Sequence, residues 1–217
     1  MTPLKPLALA SLAVLVLGAC ATPGDPGSEP VTAPGGAPGV VGSADPLATG
    51  APAAIGEVIG QGTVLQAGAA PPQFCLGGIM ESYPPQCSGP EIVDWDWDQA
   101  DQWETASGVT WGAYVLTGTW DGSVFTRTAA PIPLSLYDAM PFEDPLEGRQ
   151  GSTDEQELER IQQDIVGGHQ GYVLTSGAER GFATVTVVYD DGSFQMRMDD
   201  EYGPGVVVVL SALRPAG

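Results

Sequence analysis

Tryptophans and aspartates are concentrated in one stretch of this chain. All five tryptophans lie within 26 residues, and the segment 92–98 alternates apolar and acidic residues. As a β-strand the segment would separate Val93, Trp95 and Trp97 on one face from Asp94, Asp96 and Asp98 on the other. Indole rings beside carboxylates can stack on sugars or other apolar rings, so Trp95, Trp97 and Trp103 are candidate ligand-binding residues. The alternative is that the tryptophans form the core of a β domain.

The same aspartates suggest a cation site. Calcium takes several carboxylate oxygens, and Asp94, Asp96 and Asp98 are followed closely by Asp101. The EF-hand pattern fails, because Gln99 stands where glycine is required and Thr105 stands where the bidentate glutamate should be. The solvated face of a strand accounts for the alternation. We therefore expect no metal and no cofactor, with calcium at these aspartates as the weaker alternative.

The residue inventory excludes several catalytic chemistries. Lys5 is the only lysine, and no serine lies in a G-x-S-x-G pattern. The single histidine, His169, rules out an HExxH zinc site, and its place after a predicted helix suits a cation near a helix C-terminus or a plain loop residue. A carboxylate-pair hydrolase is compatible with 27 acidic residues, but no spacing singles out a pair. We predict no catalytic residue.

The N-terminal segment indicates export. Lys5 precedes an apolar run, Leu7 to Leu17, that is far shorter than the roughly 20 residues needed to span a bilayer. Residues 1–19 therefore read as a secretory signal peptide. The ending Leu17-Gly18-Ala19-Cys20 resembles the lipobox of bacterial lipoproteins. That resemblance implies that Cys20 becomes the first residue of the mature chain and carries two or three acyl chains, enough for firm anchoring.

The remaining cysteines fit the same interpretation. An exported chain with three cysteines has one left over. If Cys20 carries lipid, Cys75 and Cys87 can pair in the oxidising space outside the membrane. We therefore predict a Cys75–Cys87 disulfide.

The charge of the mature chain is strongly negative. Without residues 1–19, six arginines face 27 acidic residues, a formal charge of −21. Nucleic acid and anionic lipid surfaces need Lys and Arg, so neither is an expected partner. The expected attachment is to the cell membrane, at its extracytoplasmic face, through the lipid anchor. The partner is an unknown envelope protein or glycan.

Composition divides the chain into four segments. Residues 1–19 are the signal peptide, and residues 20–54 are a lipidated Pro/Gly/Ala linker that cannot bury enough apolar surface to fold. With about 35 residues, that linker would reach roughly 30–35 Å. Residues 55–146 are predicted to form a mostly antiparallel β domain with the disulfide. Residues 147–217 are predicted to form a small α-β-β-α-β layer packed on it. The fold class is α+β.

Several elements have clear local signals. Asp121-Gly122 between two β-rich runs predicts a hairpin. Ser152 to Glu155 is a capping-box pattern before a helix with Leu158, Ile161 and Ile165 on one face. Strands are expected at 172–174 and 182–189 around a turn at Gly177. Residues 193–202 fit a hairpin strand or a helix, and the stop at Gly203-Pro204 favours the helix. The apolar run 206–210 predicts a central buried strand.

Four motifs mark the globular part: Gly62-Thr-Val-Leu, CLGGIMESYPPQC, the WDWD stretch and YGPGVVVVLSALRP. In these motifs the chain resembles a group of uncharacterised actinobacterial secreted lipoproteins. The resemblance implies no activity and no site residues. The expected function is a non-catalytic interaction or binding module on a lipid anchor. The alternative is a small carboxylate-dependent hydrolase acting on envelope polymers.

Substituting Cys20→Ala tests the anchor. Without a thiol there is no attachment point for the acyl chains, so the variant is expected to leave the membrane fraction for the soluble fraction. Fractionation of cells expressing either chain, followed by immunoblotting, measures the change. Equal membrane retention of both chains would count against lipidation at this residue.

Overall fold

The computed structural model of the chain describes residues 51–138 and 144–217, and these contain eleven strands and two α-helices. A mixed α and β fold is therefore confirmed. The predicted signal peptide, Cys20 and the linker up to residue 50 lie outside the described residues. The first seven strands are β1 (Glu57–Ala67), β2 (Gln73–Cys75), β3 (Glu91–Val93), β4 (Glu104–Ala106), β5 (Val109–Trp120), β6 (Val124–Arg127) and β7 (Ile132–Pro133). They are followed by α1 (Glu155–Gly168), β8 (Val173–Glu179), β9 (Phe182–Val187), α2 (Ser193–Tyr202), β10 (Val207–Ser211) and β11 (Arg214–Pro215).

Five strands close into a barrel-like sheet. Going round it, β1 pairs with β2, β2 with β3, β3 with β6, β6 with β5, and β5 returns to β1. All of these pairs are antiparallel except β3–β6, which is parallel. The long β1 pairs with β5 along one edge and with β2 and β11 along the other. A Cβ on Gly62 would collide with the carbonyl oxygen of Cys75 on β2, so this close approach requires glycine.

The barrel interior is filled by large apolar side chains. Phe74 on β2 and Phe125 on β6 are fully buried, with ring centroids 5.2 Å apart. Each such side chain contributes about 1.5–3 kcal/mol by leaving water. The rest of this core comprises Val58, Val64, Ile92, Ala100, Tyr114, Leu116, Trp120, Val188 and Leu213. Because Val188 and Leu213 follow β9 and β10, the C-terminal part of the chain helps to fill the barrel.

The predicted hairpin between β5 and β6 is confirmed. Gly122 adopts a left-handed conformation with φ 102°, which suits the Asp-Gly turn. The carboxylate of Asp121 accepts hydrogen bonds from the backbone N–H groups of Ser123 (2.8 Å) and Val124 (2.7 Å). These bonds lower the pKa of Asp121.

The residues just before β1 are hydrogen-bonded to the end of β5. The N–H of Ala54 donates to the carbonyl oxygen of Trp120 over 2.9 Å. The indole N–H of Trp120 donates in turn to the carbonyl oxygen of Pro52 over 3.0 Å. Residues 51–54, the last four of the predicted linker, are therefore attached to the barrel.

A three-stranded sheet with the order β10-β9-β8 follows in the chain. Both helices pack on one of its faces, because Ala183, Val185 and Val187 alternate along β9 and share a core with α1 and α2. The predicted apolar stripe of α1 is confirmed, since Leu158, Ile161 and Ile165 are its buried residues. The helix cap differs from the expected capping box. Asp154 is the N-cap, and its carboxylate accepts the N–H of Glu157 over 3.0 Å.

Two expectations, one about the end of a strand and one about a turn, are wrong. The strand predicted over 92–98 ends at Val93, because Asp94 has φ 62° and the chain turns into a 3₁₀ helix at Trp97–Gln99. The turn expected at Gly177 lies at Arg180-Gly181, and Gly177 is inside β8.

The run 206–210 does not form a central strand. Its strand, β10, lies at the edge of the sheet, and β9 is central. The run is apolar because both of its faces are covered: Val207 packs under the helices, while Val208 packs on Leu146 and Phe182. Residues 193–202 are helical, the alternative that the sequence favoured. No helix in the described ranges is long and apolar enough to cross a membrane.

The disulfide between Cys75 and Cys87 is confirmed, and its removal should destabilise the fold. Opening this short loop releases chain entropy in the unfolded state worth about 3 kcal/mol. The double variant Cys75→Ala/Cys87→Ala should therefore lose about that much free energy of unfolding in urea denaturation.

Reduction of the unmodified protein is the matched control, because it breaks the cross-link without leaving a cavity at the buried Cys75. A free energy of unfolding that neither treatment changes would contradict the prediction.

Candidate functional site

Four aromatic rings lead from the barrel core to the surface, and we call them the aromatic ladder: Tyr114, Trp95, Trp97 and Trp103. Successive ring centroids are 5.3, 5.1 and 6.2 Å apart. Tyr114 is fully buried, Trp95 and Trp97 are half-buried, and Trp103 is 47% exposed. The ladder therefore connects the hydrophobic core to one large apolar ring in contact with solvent.

Arg127 holds the segment that carries Trp95. Its Nε and Nη2 donate to the carbonyl oxygen of Asp94 over 3.0 and 2.7 Å, and Nη2 also reaches Gln99 Oε1 at 3.1 Å. The guanidinium carbon lies 6.0 Å from the centroid of the Trp95 ring. At that distance a cation is attracted to the face of an indole. Arg127 thus fixes the left-handed Asp94 and the ring that follows it.

Trp97 is fixed by a side chain from β1. Its indole N–H donates to Gln66 Oε1 over 2.6 Å, and Gln66 Nε2 donates to the carbonyl oxygen of Ala70 over 2.9 Å. The indole N–H of Trp95 is buried and has no hydrogen-bond partner among the described atoms. The Trp95 ring packs between the rings of Tyr114 and Trp97 and supports Trp97.

Asp96 is the N-cap of the 3₁₀ helix at Trp97–Gln99. The carboxylate of Asp96 accepts the N–H of Asp98 over 2.9 Å and the side-chain amide of Gln99 over 3.0 Å. Asp94, Asp96 and Asp98 are exposed. Within residues 51–138 and 144–217, no three acidic, histidine or cysteine side chains converge as a metal site.

The exposed ring of Trp103 lies in a polar setting. Gln102 has φ 60°, and its side-chain oxygen accepts a hydrogen bond from the hydroxyl of Ser135. Asp101 and Glu104 are also exposed. The surface around Trp103 thus offers carboxylate and amide groups beside an apolar face.

Sequence reasoning missed the residues that hold the ladder in place. Gln66, Tyr114 and Arg127 lie on three different strands, and their contacts with the segment 94–101 depend on closure of the barrel. No local pattern in the sequence indicates them.

A separate cleft of about 470 Å³ lies at the other end of the barrel, against the helical layer. Five glycines line it, together with Trp120 and Tyr172. The Tyr172 hydroxyl donates to the carbonyl oxygen of Tyr189, and burial raises the pKa of Tyr172. Its described lining residues include no carboxylate.

His169 is the C-cap of α1, and its ring lies edge-on to Phe194 with centroids 5.0 Å apart. Burial, followed by the charge of Arg197, lowers the pKa of His169. The lowered pKa favours the neutral ring, so of the two alternatives that the sequence left open the cation at this helix end is disfavoured.

The comparisons with known proteins identify no relative. No family model, curated protein or solved structure matches this chain. The function of the site is therefore inferred from its own geometry.

Tyr114→Phe tests the buried end of the ladder. The Tyr114 hydroxyl donates to the carbonyl oxygen of Asp101 over 2.9 Å, so its loss should cost about 1 kcal/mol at neutral pH. Burial, and secondarily the charge of Asp101, raise the pKa of Tyr114 from 10.0 to about 12. Because the folded state favours the neutral phenol, this tyrosine's contribution to stability is complete below pH 10.0 and is lost as pH rises through about 12.

Denaturant titrations between neutral and alkaline pH measure both effects. The stability of Tyr114→Phe should fall less steeply between pH 10 and about 12 than that of the unmodified protein. Tyr83→Phe, at a tyrosine that is 74% exposed, should behave as the unmodified protein does. Identical alkaline profiles for Tyr114→Phe and Tyr83→Phe would refute the role of Tyr114.

Proposed function

We propose that this chain is a lipid-anchored, extracytoplasmic protein of the cell envelope that binds a glycan without catalysis through Trp97 and Trp103. The observation that carries the proposal is the position of the Trp103 ring, which is 47% exposed and yet packed against Trp97 at 6.2 Å. A ring that is both open and supported can accept a ligand with little loss of side-chain freedom.

The chemistry around the ring favours a sugar. The C–H face of a sugar ring can lie on an indole, while its hydroxyls need hydrogen-bond partners at the edge. Asp98, Asp101 and Gln102 are exposed polar residues in the same segment as the two indoles. Binding sites commonly combine aromatic walls with a few placed polar groups.

The negative charge of the chain favours an uncharged polymer over a phosphate-rich one as the ligand. Five-stranded barrels of the OB type bind oligosaccharides or oligonucleotides on their strands and connecting loops. Here the segment after β3 carries the aromatic residues. With six arginines against 27 acidic residues in the mature chain, a polyphosphate would be repelled, whereas an uncharged glycan would not.

The cellular location rests on the N-terminal sequence. The lipobox-like ending at Cys20 supports attachment to the outer face of the cell membrane, where envelope glycans are within reach of the predicted linker. Trp95 belongs to the site as a support, because it lies between Tyr114 and Trp97.

Cosedimentation with protein-free cell-wall polysaccharide tests the proposal. The mature protein without its lipid should sediment with the polymer, and Trp103→Ala should weaken the apparent affinity at least ten-fold, because the stacking face is removed. Trp103→Phe should retain part of the affinity. Soluble fragments of the same polymer should shift the tryptophan fluorescence of the unmodified protein.

Tyr83→Ala is the matched control, since Tyr83 is an exposed aromatic residue on the disulfide loop, 74% exposed and packed on Trp111. This variant should bind as the unmodified protein does. Equal affinity of Trp103→Ala and the unmodified protein, or no sedimentation with the polymer at all, would rule out the proposed site.

A further inference from the structure

The strand β8 has an open edge. Among the described residues it pairs with β9 on one side and with no strand on the other. The disulfide loop approaches the start of β8, where Gly77 lies against Leu174, and the segment before α1 approaches the turn at Arg180. Between these two contacts, Thr175, Ala178 and Glu179 are exposed. An unpaired strand edge can accept another chain by β-strand addition.

A groove runs beside this edge. The cavity between α1 and β8 has a volume of about 570 Å³, and its lining includes Val166 on α1 and Val173, Thr175 and Ser176 on β8. Val166 is 45% exposed, although it belongs to a helix whose other apolar residues are buried. The groove thus places an exposed apolar side chain next to an unpaired strand, the two parts needed to bind an extended peptide.

A polar group in the groove lacks a partner. Ser176 lies directly opposite Val185 in the ladder, and Val185 packs beneath the helices, so the Ser176 side chain points toward α1. Its hydroxyl is buried and makes no hydrogen bond to any described atom. A buried hydroxyl without a partner is unfavourable, and a bound backbone or side chain would satisfy it.

The groove changes character along its length. The helix α1 and strand β8 run in opposite directions, so Val166 lies near Val173, and Glu155 shares a smaller cavity with Ala178 and Glu179. Glu155 and Glu159 are exposed and lie one helical turn apart.

The nearby cations are already engaged. Arg160 pairs with Glu157 and Asp164, and Arg180 pairs with Asp144 and Glu179. The groove is therefore apolar at one end and acidic at the other.

We propose that β8 accepts an extended segment of a partner protein as a fourth strand, with an apolar side chain near Val166 and Ser176 and a lysine or arginine near Glu155 and Glu159. Along α1, Val166 is about 10 to 17 Å from these glutamates at 1.5 Å per residue. In an extended segment this distance corresponds to about four residues, which also keeps both side chains on one face. A second copy of this acidic chain would bring like charges together, so a cationic partner fits better.

Defined peptides test the proposal on the full mature chain. The probe is a fluorescent nine-residue serine/threonine peptide with leucine at its third and lysine at its seventh position. A second probe has these two residues exchanged, because the added strand can run parallel or antiparallel to β8. Fluorescence anisotropy should show saturable binding of one of them. Glutamate in place of lysine, or N-methylation of alternate backbone amides, should weaken binding at least ten-fold. Hydrogen exchange should slow within 173–179 when the peptide binds.

Two variants separate binding from folding. Val166→Arg should weaken peptide binding at least ten-fold with an unchanged melting temperature, because Val166 is exposed. Met196→Arg is the matched control: Met196 is an apolar residue on α2 that is 63% exposed, and its replacement should leave peptide binding unchanged. Ser176→Ala should weaken binding several-fold without lowering the melting temperature, since its hydroxyl has no partner to lose.

Several outcomes would overturn the proposal. These are the absence of binding by both leucine/lysine probes, equal binding of the N-methylated peptide, or equal binding by Val166→Arg. Sedimentation should show a monomer, and a dimer that Val166→Arg dissociates would identify a second copy as the occupant instead. Trp103→Ala should bind the peptide normally, so failure of the glycan site would leave this result unaffected.

Discussion

The antiparallel pairing of β1 with β5 is the constraint on which the barrel depends. All eleven residues of β1 pair in continuous register, from Glu57 opposite Thr119 to Ala67 opposite Val109. The two strands are far apart in the chain, so their pairing has an entropic cost of loop closure. Burial of the barrel core must offset that cost. Within β5, glycine at 112 leaves room for the buried Tyr114 ring, because a Cβ there would collide with it. Once this pair forms, β2, β3 and β6 complete the barrel.

The closed barrel explains how an irregular segment can present rings in fixed positions. The residues after β3 form no strand, yet Gln66 on β1, Tyr114 on β5 and Arg127 on β6 each bind part of the segment. These contacts replace the backbone ladder that a strand would have provided. Trp103 is therefore supported through a series of packed rings. Loops positioned by a rigid scaffold commonly carry function.

Local signals in the sequence predicted the elements that depend on local physics. The Asp-Gly turn, the stripe of Leu158, Ile161 and Ile165, and the cysteine pairing are all confirmed. The alternation of apolar and acidic residues over 92–98 led to a wrong strand prediction. The left-handed Asp94, whose carbonyl oxygen accepts hydrogen bonds from Arg127, ends the strand despite the pattern of period two. The edge position of β10 could not be predicted either. An apolar run indicates that both faces of a strand are covered, but it does not indicate whether the strand pairs with one neighbour or with two. Closure of the barrel has no signature in one segment, because it depends on pairing between distant strands.

The bonds that join Ala54 and Pro52 to Trp120 fix the point at which the preceding chain joins the barrel. They attach the incoming chain at the C-terminal end of β5, whereas Glu104, next to Trp103, pairs with Trp111 nine residues earlier. At about 3.3 Å per residue, these two points are about 30 Å apart along the strand. Residues 52–54 and the exposed Trp103 ring therefore lie near opposite ends of β5. Under the proposed anchoring, the indole surface would lie at the end of the barrel away from the point where the linker joins it.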